Sequence, residues 1–222
     1  SLSLELSELQ SQIVAAQLGT EAISTALKAA AIGLALIAVF MIAYYWISGV
    51  AATIALAIYT TMVVAVIYLF EITLTLPGIA GIILSIGMAV DANVIIFARI
   101  REEIASGKTV STAIKTGFQK ALSAILDGNI TTLIAAAVLA FKGSGFVKGF
   151  AYTLAIGIVL SMFTALVVTR LVLHGLYVIG FRDAKFYGRQ KDRRPMHFIA
   201  KRHVFFIISA VIIIAGFVEM GV

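Results

Sequence analysis

Two clusters of polar residues interrupt otherwise apolar stretches of this chain, and they are where chemistry could occur. The first is Asp91-Ala-Asn93, inside the run Gly78–Phe97. The second is Asp127-Gly-Asn129-Ile-Thr131-Thr132. A carboxylate surrounded by hydrocarbon is costly, and by default it marks an ion path or a coupling site. Low dielectric disfavours its charged form, which suits a group that must take up and release a proton. Asp91 is therefore the candidate ion- or proton-coupling residue. The competing reading is a carboxylate paired permanently with a cation. No Lys or Arg lies within any apolar run near that depth, so such a partner would have to come from chain outside this sequence. Asn93 lies roughly 160° from Asp91 on a helical wheel, so the two should serve different neighbours. Asp127 is expected to cap a helix restarting after Gly128, with Asn129 and the threonines as interhelical hydrogen-bonding groups. Alternatively Asp127, Asn129 and Thr132 extend a polar layer from Asp91.

Other chemistries find little support. There are no cysteines, which excludes disulfides, thiolate catalysis and cysteine metal sites. The three histidines, His174, His197 and His203, fall in or beside one basic linker without metal-site spacing. No phosphate-cradling glycine loop, nucleophile-base pair or cofactor motif is present. The expectation is a protein that is not an enzyme and needs no cofactor or metal.

The elements that must position these residues are membrane helices. Of 222 residues, 61% are hydrophobic and 13% charged, and the mean hydropathy is +1.07. A soluble domain of this size could not cover so much apolar surface. Backbone amides in lipid must be satisfied within their own segment, and the alternation of barrel strands is missing, so the fold is all-α. Apolar runs predict six spans, near residues 29–47, 50–70, 78–98, 121–141, 149–171 and 203–219. Short links at Ser48-Gly49 and Glu71–Pro77 make neighbouring spans antiparallel. Val110–Leu126 has helical periodicity with Lys115, Gln119 and Lys120 turned away, which predicts an amphipathic helix lying at the interface, capped by Thr109 or Ser111. Gly81, Ser85 and Ala89 repeat at four-residue intervals, as do Gly157 and Ser161, a spacing that lets helices approach closely.

Charge orients the bundle. Five Lys and Arg residues lie in Arg99–Lys120 and nine in Arg170–Arg202, fourteen of the 17 in the chain. Two spans separate these links, so they share one side, predicted to be cytoplasmic. The net charge of +6 thus reads as membrane topology, not as nucleic-acid binding. The chain opens on Ser1 without a signal-peptide pattern and is expected to be a piece of something longer. Its expected parts are residues 1–27, the extracytoplasmic end of an upstream domain; 28–173, a five-span bundle; 174–202, a basic linker; and 203–222, which begins a second region.

Specific stretches carry a family resemblance. Leu74-Thr-Leu-Pro-Gly-Ile-Ala-Gly, Gly87-Met-Ala-Val-Asp91-Ala-Asn93-Val, Arg99-Ile-Arg-Glu-Glu, Asp127-Gly-Asn-Ile-Thr-Thr and Gly145-Phe-Val-Lys-Gly-Phe-Ala-Tyr-Thr resemble the SecD/SecF family of bacterial protein-export membrane proteins. Leu18-Gly-Thr-Glu-Ala-Ile resembles the SecD region entering its second span. Arg194-Pro-Met-His-Phe and the last span resemble the start of SecF, as in a fused SecDF chain. Gly128 and Ala98 stand where the family more often has alanine and glutamate. The resemblance implies an RND-transporter type of bundle in the bacterial inner membrane. It implies partners in the SecYEG channel, in SecF or a SecF-like half, and in the translocating polypeptide through an external domain that this sequence lacks. It also implies proton or sodium flow as the energy source, with Asp91 in the ion-carrying position and Asp127 in a less defined one. A small-molecule or lipid exporter of the same fold is the alternative, and a passive scaffold is a third reading.

Overall fold

The computed structural model describes residues 16–72, 74–188, 206–207 and 209–210. Six α-helices follow in order: α1 Ala16–Tyr45, α2 Ile47–Leu69, α3 Leu76–Ala105, α4 Val110–Lys142, α5 Phe146–Phe163 and α6 Thr169–Ile179. A π-helical segment, Thr164–Val168, joins α5 to α6, and a 3-10 helix spans Ala184–Tyr187. Because α5 and α6 run on as one rod, Phe146–Ile179, five helical rods are long and apolar enough to cross a membrane. The expected last span lies outside the described residues. Among those described, no strand is present.

Local chemistry explains the boundaries. Thr75 caps α3, its hydroxyl accepting from the Gly78 amide at 3.1 Å, and Pro77 occupies the first turn, where its missing N–H costs nothing. Thr109 caps α4 through the Thr112 amide at 3.5 Å. The first link is shorter than predicted: Trp46 alone, with φ of 53°, separates α1 from α2. Ser48 and Gly49 instead lie buried in the first turn of α2, because Gly49 lets that turn press against the Met41 carbonyl of α1, where a Cβ would overlap it.

What packs the bundle changes along its length. Towards one end, α3 and α5 meet through small residues, since lipid supplies no hydrophobic drive for helices to associate. Gly81 packs against Thr153 and Ser85 against Gly157, and Ala89 and Ser161 lie buried four residues further along, the close approach that the four-residue spacing predicts. Thr153 Oγ1 lies 3.0 Å from the Gly78 carbonyl across the contact and equally 3.0 Å from the Gly149 and Phe150 carbonyls of its own helix, all three within reach of its one proton. At the other end the core is built from large side chains: Met41, Tyr45, Phe97, Ile100, Ile114, Phe118 and Ile125.

That second cluster corrects the sequence reading of Val110–Leu126. Helix α4 is continuous through Gly128, about 50 Å long at 1.5 Å per residue, so it exceeds a hydrocarbon core of roughly 30 Å. The predicted amphipathic face is real. Val110, Ala113, Ile114, Phe118, Ala121 and Ile125 are all buried, however, in the core shared with α3. Periodicity identifies a face that must be covered; here α3 covers it, and no separate interfacial helix forms.

The same end collects the charges. Arg101 of α3 donates to the Tyr44 carbonyl at 2.7 Å and to the Tyr187 carbonyl at 3.3 Å. Its guanidinium also lies 4.4 Å from the Tyr45 ring centroid. Buried Glu103 takes Lys108 at 2.5 Å and Lys120 at 2.6 Å. The end of α1, the α3–α4 link and the start of the second basic linker therefore meet at one end of the bundle.

Candidate functional site

Asp91 sits near the middle of α3, about 12 Å along the axis from Arg99. A cavity of about 240 Å³ opens between α3 and α4 beside it. Asp91, Met88, Ala92 and Ile95 line it from α3; Ala124, Ile125, Gly128, Asn129 and Thr132 line it from α4. Among the described residues Asp91 is the one carboxylate on that lining, and no Lys or Arg shares it. The ion pairs among these residues are Arg99–Glu102 and those of Glu103, so Asp91 has no cationic partner there.

The predicted residues divide three ways. Asp91, Asn129 and Thr132 come together on the cavity. Asn129 is 7% exposed; its amide donates to the Ile125 carbonyl at 2.7 Å, while its Oδ1 finds no hydrogen-bond partner among the described residues. The Thr132 hydroxyl donates to the Gly128 carbonyl at 2.9 Å and leaves its oxygen able to accept.

Asn93 belongs elsewhere, as its angle on the helix predicts. It is buried, donates to the Ala89 carbonyl at 3.1 Å and accepts the Thr169 hydroxyl proton at 2.8 Å. Asp127 belongs to neither place. It lies inside α4, exposed, off the cavity, and its carbonyl accepts from Thr131 Oγ1 at 2.7 Å. It caps nothing, because the helix does not restart at Gly128. Two residues along a helix turn a side chain through about 200°, so Asn129 faces α3 while Asp127 faces outward.

Asp91 also departs from expectation, since within this chain it is exposed. It belongs to a stripe of α3 that runs through Ala80, Leu84, Gly87 and Ala98, all of them uncovered by the described residues. None of the described atoms lies within 4 Å of where a Gly87 Cβ would stand. The carboxylate thus has one polar wall, from α4, and one open side.

Sequence reasoning misses Thr169. It is fully buried and comes directly after the π-helical segment, its hydroxyl 3.2 Å from the Thr164 carbonyl as well as 2.8 Å from Asn93 Oδ1. A threonine beside Arg170 at the end of an apolar run reads as helix edge, and no sequence signal marks the π turn.

Five rods long and apolar enough to cross a membrane, joined through small-residue contacts, define a polytopic α-helical membrane protein. The chain belongs to the family described as protein export membrane protein SecD/SecF, C-terminal, which matches residues 2–178. It is 53% identical over 176 residues to the protein translocase subunit SecD of Acidaminococcus fermentans, covering 79% of this chain and 42% of that relative. Against the protein translocase subunit SecD of Pseudomonas aeruginosa it is 47% identical over 176 residues, 79% of this chain and 28% of that one. The crystal structure of SecDF, a translocon-associated membrane protein from Thermus thermophilus, superposes with a TM-score of 0.75 at 35% identity, over 90% of this chain and 27% of that chain. The chain therefore spans well under half the length of these relatives.

Proposed function

We propose that this chain is the membrane part of a protein-export subunit in the bacterial plasma membrane, where ion flow through the bundle assists polypeptide translocation. One observation carries the reading: Asp91, the only carboxylate on the α3–α4 cavity, faces Asn129 and Thr132 at mid-helix depth with no cation beside it among the described residues. A volume of 240 Å³ has room for several waters at about 30 Å³ each. Water there would bring a proton to the carboxylate, with the Thr132 oxygen as an acceptor that orients it. Protonation removes a charge from an otherwise apolar stripe. That changes how favourably the stripe packs against a further membrane segment, and the free-energy difference between the two states is what moves a population. In this reading the chain is no enzyme; it converts an ion gradient into motion. Its SecDF-like context supplies the rest: a SecF-like half against the open stripe, an external domain for the polypeptide, and the SecYEG channel. The excess of Lys and Arg in the two basic links favours a cytoplasmic position for the Arg101 end in this reading.

The test is Asp91→Asn in the full-length protein, assayed as gradient-dependent export from membrane vesicles. Loss of the gradient-dependent component, with normal protein level, is expected. Undiminished gradient-dependent export removes Asp91 from the mechanism.

A further inference from the structure

Thr169 has one hydroxyl proton and two acceptors for it. Asn93 Oδ1, on α3, stands 2.8 Å away, and the Thr164 carbonyl, in its own rod, stands 3.2 Å away. The π-helical segment Thr164–Val168 sets which carbonyl this is: threonines elsewhere in the bundle return to the carbonyl four residues back, whereas Thr169 returns to the one five back. There the Thr169 backbone amide also returns to Thr164, five residues back, so this carbonyl lies beside the threonine side chain. Such single-turn bulges concentrate at functional sites. The hydroxyl is fully buried and Asn93 nearly so, and a buried donor left without a partner is costly. Here the donor need never be left without one, because either position of the proton satisfies it.

Asn93 and Asp91 share one turn of α3, so whatever fixes Asn93 fixes the angle at which Asp91 meets its cavity. Held by Thr169, α3 presents Asp91 to Asn129 and Thr132. With the hydroxyl turned to Thr164 the donor keeps a partner, but the buried Asn93 Oδ1 loses the Thr169 proton, so this second state requires a small shift of α3 about its close contacts with α5 that brings the amide oxygen to another donor or to water. We propose that Thr169 is a switchable positioning residue, whose choice between Asn93 on α3 and the Thr164 carbonyl of the π turn sets how Asp91 faces its cavity. The inference rests on Asp91 as the coupling residue, and it adds a two-state element beside that residue, which coupling requires.

The experiment uses the full-length protein in vesicles, with two readouts. One is gradient-dependent export; the other is the rate at which N,N′-dicyclohexylcarbodiimide labels Asp91, which reports the carboxyl's surroundings whether or not export is coupled to it. Thr169→Val keeps shape and removes the proton; Thr169→Ser keeps the proton. Thr169→Val is expected to change the labelling rate and lower gradient-dependent export by about fivefold or more, with Thr169→Ser close to wild type. Asn93→Leu, which removes the acceptor from the α3 side, should reproduce the Thr169→Val effect, and the double variant should be no worse than either single one. If Thr169→Val does not fold, Asn93→Leu against Thr169→Ser makes the same comparison. Unchanged labelling in Thr169→Val, or strictly additive effects, overturns the proposal. Undiminished export in Asp91→Asn instead overturns the functional reading beneath it, and the labelling readout tells the two failures apart.

Discussion

The Tyr59 hydroxyl of α2 lies 2.6 Å from Ser85 Oγ of α3, both buried where Gly157 of α5 closes over them. Three helices meet at this point, and the contact works only because the third has no side chain there. A Cβ at Gly157 would overlap Ser85 Oγ and crowd the Tyr59 hydroxyl at 3.1 Å. Gly157→Ala should therefore cost about 1–3 kcal/mol through forced displacement of packed neighbours. Thermal unfolding in detergent or bilayer checks this. Gly87→Ala is the control and should be neutral in this chain, since none of the described atoms lies within 4 Å of its Cβ position.

How much of this is legible in sequence follows from what each signal measures. Spacing of small residues marks close approach, so the closely packed faces at Gly81, Ser85 and Ala89 and at Gly157 and Ser161 can be read from the residue order, but not that the two faces meet each other. Wheel angles separate Asp91 from Asn93 for the same reason. Periodicity shows that Val110–Ile125 has an apolar face but not what covers it, and α3, rather than the membrane surface, does so. Hydropathy sees no helix continuing through Asp127-Gly128, because polar residues there imitate a break. Thr169 is out of reach, since a π turn depends on backbone pairing that composition does not encode.

Arg101 should behave as a clasp that lysine cannot replace. Its planar guanidinium reaches the carbonyls of Tyr44 and Tyr187 together while lying over the Tyr45 ring. A lysine ammonium is a point charge on a flexible stem and cannot match all three. Arg101→Lys is expected to cost about 1–2 kcal/mol, from charge-assisted hydrogen bonds and the ring contact. Faster amide hydrogen exchange across Ala184–Tyr187, with the rest of α3 unchanged, is the signature.

Tyr187 gives that docked segment a pH dependence. Burial, and secondarily the nearby Tyr177, push its phenol from 10.0 up to about 12. The folded state thus favours the neutral phenol, which donates to the Phe181 carbonyl at 3.0 Å. The stabilisation is fully present below pH 10 and is lost as pH rises towards 12. Exchange protection of Ala184–Tyr187 should fall across that window in the wild type. Tyr187→Phe lacks the titrating group, so its protection should start lower and not decline with this group's titration.

Thr131 and Thr132 are adjacent, chemically identical and sited differently, which makes them a matched pair for the cavity. Each donates its hydroxyl proton back to its own helix, to Asp127 at 2.7 Å and Gly128 at 2.9 Å. Removing either hydroxyl should therefore have a similar, small effect on α4 itself. Only Thr132 lines the cavity with Asp91, and only its oxygen can accept from water held there. If Asp91 works through that water, Thr132→Val should lower gradient-dependent export by about fivefold, comparable to a modest coupling energy, while Thr131→Val leaves it unchanged. Asp127→Asn should also leave it unchanged, because that carboxylate lies off the cavity. Equal losses in Thr131→Val and Thr132→Val would mean that the threonines matter to α4 alone. A loss in Asp127→Asn without one in Thr132→Val would move the ion path to the outer face of α4.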